Sequence, residues 1–273
     1  MLTSTVCRYE HFETDWFRRW QGFYLNGINA DLWQRDETDF HRKHWELAAV
    51  TQALYERGLL GAGNRGVGFA VGGEPLASMF AAYGVDVLAT DLDTRDPRAQ
   101  AWVEGGQHAD NLENLYKDFI VDRESFDRHV RFGYADMGGS WDLPAGSFDF
   151  VWSTCSFEHL GSLEAGLDFV VRSSELLRPG GVAVHTTEYN VSSDEATLTK
   201  GGTVLYRRRD IEALDLRLRR LSKCLARPDY WAGDHPNDRL FDYPPFYQHP
   251  GRNHIKLLLD DYVATSFLVI VLG

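Results

Sequence analysis

From Arg65 onward the chain alternates short apolar runs with longer amphipathic ones: "RGVGFAV", "PLASMFAAYG", "VDVLAT", and later "FDFVWST", "LEAGLDFVVRSSELLRPGG" and "VAVHTTE". The short runs, rich in β-branched and aromatic residues, read as strands, and the longer ones space their apolar positions as a helix does. Strand and helix in alternation predict a parallel sheet, because every parallel connection must cross one face of the sheet. At the end, "HIKLLLDDYVATSFLVIVLG" reads as two apolar runs around Asp260-Asp261-Tyr262, short enough for a hairpin. The expected fold is α/β: a doubly wound, mostly parallel sheet closed by a C-terminal antiparallel hairpin.

The remaining chain is divided around that sheet. Residues 1–60 are expected to form an N-terminal helical extension or lid, since "DFHRKHWELAAVTQALYERG" places Trp45, Ala48, Ala49, Gln52 and Tyr55 at helical spacing. Residues 61–273 form the main domain, with insertions at about 95–130 and 223–253. The second of these, with Tyr230, Trp231, Phe241, Tyr243, Phe246 and Tyr247, has no periodicity; its aromatics suit stacking on sugar faces or the core of an irregular insertion.

With 40 acidic against 28 basic residues the formal charge is −12, and the densest basic run is "YRRRD", Tyr206 to Asp210. That balance disfavours nucleic acid and anionic membranes, which need a basic face. The longest apolar run, "FLVIVL", is too short to span a bilayer, and the N-terminal residues lack the pattern of a secretory signal, so no membrane insertion and a cytoplasmic location are expected. Cys7, Cys155 and Cys224 are few and widely separated, and read as reduced thiols.

Chemistry first becomes specific at Gly72-Gly73-Glu74-Pro75, directly after the first predicted strand of the alternation. Two residues without Cβ permit an unusual turn and the close approach of a ligand, although such a dipeptide is also a plain tight turn. A pyrophosphate needs several aligned N–H groups, and here Pro75 removes one while Glu74 adds negative charge. A ligand bearing an ammonium or sulfonium group is better matched. Asp91 follows Gly72 by nineteen residues, at the end of the next predicted strand, where a carboxylate can accept the hydroxyls of a ribose.

On these residues the chain resembles the class I S-adenosylmethionine-dependent methyltransferases, over roughly residues 65 to 190 and, with the hairpin, to its end. The resemblance implies a Rossmann-like fold and S-adenosylmethionine as cofactor. Gly72 and Gly73 match the turn that passes the methionine part, Asp91 the ribose acid with Leu92 beside it, and Asp136 and Met137 of "YADM" the adenine site. Ser153 lies in "FDFVWSTCSFEHLGSL", which matches the fourth-strand motif of the family. Ala70 stands where an acid is common and Glu74 where a glycine is, so recognition of the methionine amino group falls to backbone carbonyls or to the N-terminal helix, with Arg42 and Trp45 as candidates. More narrowly, "AVGGEPL", "ATDLD", "EHLGSL" and "HTTEYN" look like sugar O-methyltransferases of bacterial polysaccharide biosynthesis clusters. This implies a carbohydrate hydroxyl, on a sugar or oligosaccharide, as acceptor.

Methyl transfer to a hydroxyl needs alignment and a base. Glu158 and His159 follow one predicted strand and Glu188 ends the next, where ligands of open α/β sheets bind. His159 is the leading general base because its ordinary pKa is near neutrality, with Glu158, Glu188 and His254 as alternatives. His108 ranks lower, since polar loops collect histidines. Some members of the resembled class hold a metal through E-x-x-E-H; here the first acid is replaced by Cys155, but Glu158, His159 and Glu188 remain a candidate set for a divalent ion such as Mg2+. Other readings stay open: a small-molecule methyltransferase of natural-product metabolism, or a non-catalytic S-adenosylmethionine-binding subunit. An NAD-dependent sugar enzyme would want a pyrophosphate turn and a Tyr-x-x-x-Lys pair, neither of which is evident.

Overall fold

A computed structural model describes residues 1–25 and 40–273. The part of the expected N-terminal helical segment on 26–39 lies outside the described residues.

Among the described residues nine strands form one sheet: β1 (Thr5–Val6), β2 (Arg65–Gly68), β3 (Asp86–Asp91), β4 (Val130–Tyr134), β5 (Phe148–Thr154), β6 (Leu177–Asn190), β7 (Cys224–Leu225), β8 (Leu257–Leu259) and β9 (Tyr262–Leu272). The order is β1-β9-β6-β5-β2-β3-β4, with β7 and β8 also paired to β9. From β6 to β4 every pairing is parallel, while β9 runs antiparallel to all its partners. The sheet is therefore the expected α/β one, and the predicted hairpin is β8–β9, closing at Leu259 and Tyr262.

The helices are α1 (Tyr9–Phe12), α2 (Asp15–Leu25), α3 (Arg42–Tyr55), α4 (Leu76–Ala82), α5 (Gln100–Glu104), α6 (Leu112–Leu115), α7 (Arg123–His129), α8 (Leu163–Ser174) and α9 (Arg208–Arg219). Among the described residues no helix is long and apolar enough to cross a membrane. Alternation along the strands makes two cores. Phe150 and Trp152 point to the face that buries Trp45 and Phe80, whereas Val151 and Ala183 join Phe169 and Leu214 on the other. The alternating glycines of "RGVG" follow from this: a Cβ on Gly66 would sit 2.3 Å from the Phe150 ring, and one on Gly68 2.2 Å from the Trp152 ring. The rings of Phe150 and Trp152 fill the space over β2 only because Gly66 and Gly68 place no side chain there.

The two flanking regions are tied into the sheet more closely than periodicity suggests. Thr5 and Val6 pair with Leu268 and Phe267, and α3 packs over β5, β6 and β9, so residues 1–60 contribute a strand and a core helix. Within 223–253, β7 pairs with β9. A two-residue strand is too short to show an alternation; only its long-range partner defines it.

Candidate functional site

The chain passes from β2 to β3 and β4 on one side, then returns so that β5 lies on the other side of β2. Between β2 and β5 the winding reverses, and ligands of open parallel sheets bind beyond the carboxyl ends of the strands at that point. The turn after β2 is Ala70-Val71-Gly72-Gly73-Glu74. Gly72 has φ +52°, and a Cβ there would lie 2.5 Å from the Gln107 carbonyl oxygen. Gly73 is exposed. Glu74 reaches across the crevice to β5: Trp152 Nε1–H donates to Oε1 at 2.9 Å, and the Thr154 hydroxyl donates to Oε2.

Burial pushes the Glu74 carboxyl up to about 7, against the pull of those two donors. The folded protein therefore holds a proton that the unfolded chain has already released above its ordinary carboxylate range. This group's contribution to stability is full below that range and is lost as pH rises to about 7, by at most about 1.4 kcal/mol per pH unit. Urea midpoints taken between pH 5 and 7.5 should thus fall more steeply for the wild type than for Glu74→Gln. Equal slopes would show that Glu74 does not carry the proton.

Asp91 ends β3 and is 5% exposed. Its carboxylate accepts the Gly72 N–H at 2.9 Å, the Leu92 N–H at 2.8 Å and the Ala109 N–H at 3.2 Å. Burial raises its pKa, partly offset by these donors and by His108. His108 Nε2 lies 2.7 Å from the Leu92 carbonyl oxygen, so the stretch from Gln107 to Ala109 is laid against the turn and the acid together. A carboxylate has about four lone-pair sites; three N–H groups leave room for one further donor. Asp136, beyond β4, accepts from the Gly138 N–H at 2.8 Å and Arg98 Nη2 at 2.7 Å, and Met137 is buried beside it.

On the β5 and β6 side lies a buried charged cluster. Arg42, at the start of α3, bonds Glu188 through Nη2, and through Nη1 reaches Glu46 at 3.0 Å, the Ser266 hydroxyl at 3.1 Å and Cys155 Sγ at 3.5 Å. Lys43 Nζ is 3.3 Å from Glu46. Burial works against the Glu46 carboxylate, but Lys43, Arg42 and the Ser266 hydroxyl hold it below the usual range. Burial and Glu46 push the Cys155 thiol well up, so it is a neutral donor and not a nucleophile. Burial also raises Glu158, whose Oε2 accepts from the Thr187 hydroxyl at 3.0 Å. Glu158 Oε1, Glu188 Oε2 and Arg42 Nε are buried with no hydrogen-bond partner among the described residues. One ligand atom each from Cys155, Glu158 and Glu188 lie within 4.8 Å of one another.

The expected residues are thus sorted. Gly72, Gly73, Asp91, Leu92, Asp136 and Met137 surround the turn and the neighbouring strand ends, and Arg42, Glu158 and Glu188 meet over β5 and β6. His159 is not one of these three, although its Nε2 is 3.9 Å from Glu158 Oε1; its Nδ1 lies 2.7 Å from the Gly202 carbonyl oxygen, to which it donates. Cys155, the position where the E-x-x-E-H pattern breaks, takes its place. Ser153 points to the opposite face, 2.8 Å from His185 Nδ1, because neighbours along a strand alternate. Trp45 is fully buried with Nε1 donating to His11 at 3.0 Å. His254 belongs to a chain in which Asp242 Oδ2 is 2.9 Å from Nδ1, and the Tyr247 hydroxyl is 3.3 Å from Nε2 and 3.1 Å from His41 Nε2. Glu46, Ser266, Asp242 and His41 escaped the sequence reading. Glu46 had a signal, its i,i+4 spacing from Arg42; Ser266 sits inside an apolar strand with none.

No family model matches the chain, and no curated protein does. Solved structures resemble it weakly. A magnesium protoporphyrin IX methyltransferase from Synechocystis PCC 6803 with bound SAH is 13% identical, with 96% of each chain covered and a TM-score of 0.48. An S-adenosylmethionine-dependent methyltransferase from Mesorhizobium loti is 14% identical over 81% of this chain and 96% of that one, with a TM-score of 0.46. The [4+2]-cyclase SpnF is 18% identical over 68% of this chain, with a TM-score of 0.44. The chain spans 61% of the length of SpnF and 61% of that of a protein from Galdieria sulphuraria. Such identities and scores are too low to bear on function; the fold rests on the strand order.

Proposed function

We propose that this chain binds S-adenosylmethionine in the crevice between β2 and β5 and transfers its methyl group to a hydroxyl of a carbohydrate. The observation that carries the reading is the division of that crevice. A glycine turn and a ribose-competent acid stand on the β2 and β3 side, and two buried carboxylates, each with one oxygen lacking a hydrogen bond among the described residues, stand on the β5 and β6 side. Gly72 and Gly73 would line the methionine part, Asp91 would offer its remaining lone pair to the ribose, and Asp136 and Met137 would border the adenine. When bound, the cofactor supplies an activated methyl carbon for in-line displacement.

The chain's own residues orient the acceptor and take its proton. Glu158 Oε1 and Glu188 Oε2 are the base candidates, and Arg42 Nε, which has no hydrogen-bond partner among the described residues, would donate to the acceptor oxygen. A divalent ion would be held by Cys155, Glu158 and Glu188, with the Cys155 thiol losing its proton on binding against the opposition of burial and Glu46; a thiolate with two carboxylates suits a borderline ion such as Zn2+ better than Mg2+. Such an ion would acidify the acceptor hydroxyl.

Calorimetry with S-adenosylhomocysteine, followed by methyl transfer from labelled S-adenosylmethionine to a glycan panel with and without chelator, tests the reading. Saturable binding and label on a sugar oxygen are expected. Absence of binding sinks it, and binding without transfer to any hydroxyl or amine acceptor points to a non-catalytic subunit instead.

A further inference from the structure

We infer that the Glu74 carboxylate is the subsite for the ammonium group on the amino-acid part of the methyl donor. This rests on the methyltransferase reading and adds to it the residue that replaces a glycine in the usual turn.

Position is the first argument. Glu74 leaves the turn after β2 and ends on Thr154 at the end of β5, so its carboxylate spans the point where the winding reverses. Accessibility is the second. Its two bonds, from Trp152 and Thr154, leave about half of its acceptor sites unused, and the residue is partly exposed while Gly73 beside it is open to solvent. Charge is the third. The groups that face it are the acids Glu46 on α3 and Asp91 on β3, the neutral donors Trp152 and Thr154 on β5, and the phenol of Tyr24 on α2. None of these described groups is a cation. An anion is unwelcome there, since Pro75 offers no N–H, and a compact cation with three N–H donors completes the carboxylate. Binding displaces the proton that burial keeps on Glu74 in the free protein, and that proton passes to solvent.

A purely structural clamp between the turn and β5 is the competing role, and the ligand's own chemistry separates the two. The full chain is titrated by calorimetry at pH 8 with S-adenosylhomocysteine and with 5′-methylthioadenosine, which has the adenosine and sulfur but no amino-acid part. Glu74→Gln keeps the Oε1 acceptor for Trp152 Nε1–H and presents Nε2–H to the Thr154 hydroxyl, which can turn to accept it. It is expected to weaken S-adenosylhomocysteine by about ten-fold or more and to leave methylthioadenosine within about two-fold. Equal losses for both ligands, or none for the homocysteine compound, overturn the inference while leaving cofactor binding in place. If the wild type binds neither ligand, the methyltransferase reading falls and this inference with it. Should Glu74→Gln fail to fold, the wild type decides. The ratio of the two affinities should rise by about ten-fold between pH 6 and 8 as the carboxyl ionises, and a constant ratio overturns the proposal.

Discussion

Replacing Arg42 by alanine should destabilise the fold by about 3–5 kcal/mol, the cost of breaking a buried ion pair from one side. Arg42 is 5% exposed, Glu188 5% and Glu46 1%, and the guanidinium touches both carboxylates, the Ser266 hydroxyl and Cys155. Without it Glu188 loses its ion-pair partner, whereas Glu46 keeps Lys43 at 3.3 Å. Urea unfolding at pH 8 measures the loss. Arg42→Lys should recover only part of it, because one ammonium cannot reproduce the forked contacts. A loss under about 1 kcal/mol for the alanine variant would mean that water reaches the cluster and the pair is a surface one.

The second large effect is expected at Asp91. Asp91→Ala strips the acceptor from the Gly72, Leu92 and Ala109 N–H groups, and each buried donor left unsatisfied costs about 1–3 kcal/mol. The turn after β2 and the stretch from Gln107 to Ala109 should loosen together, seen as faster amide exchange at Gly72 and Ala109 while the amides of β5 and β6 stay protected. Affinity for S-adenosylhomocysteine should fall by about 100-fold, or about 2.7 kcal/mol. Loss of amide protection without loss of affinity would assign Asp91 to the turn alone and remove it from the ribose site.

The parallel sheet and the glycine turn were legible because each depends on neighbours in sequence. Strand and helix periods are local, and Gly72-Gly73 lies directly after the strand it serves. Asp91 was legible through a spacing that one strand–helix–strand unit imposes. The cluster around Arg42 was only half legible. Arg42 and Glu46 share a helix, but Glu188 and Ser266 come from strands that pair antiparallel far along the chain. Ser153 and Cys155 sit two apart in one motif, yet Ser153 ends on His185 and Cys155 in the acid cluster, since the strand ends at Thr154 and Cys155 adopts φ +39°.

By itself the sequence determined a doubly wound sheet, a glycine turn in which Pro75 offers no N–H, and a set of acids at strand ends, because backbone period and the chemistry of Gly, Pro and carboxylates act over short stretches. Tertiary structure decided which acids meet and what they lack. It inserted β9 between β6 and β1, brought α3 over the strand ends and folded Glu74 across to Thr154. Burial, which shifts a carboxyl's proton affinity and leaves oxygens without partners, is a property of three-dimensional packing.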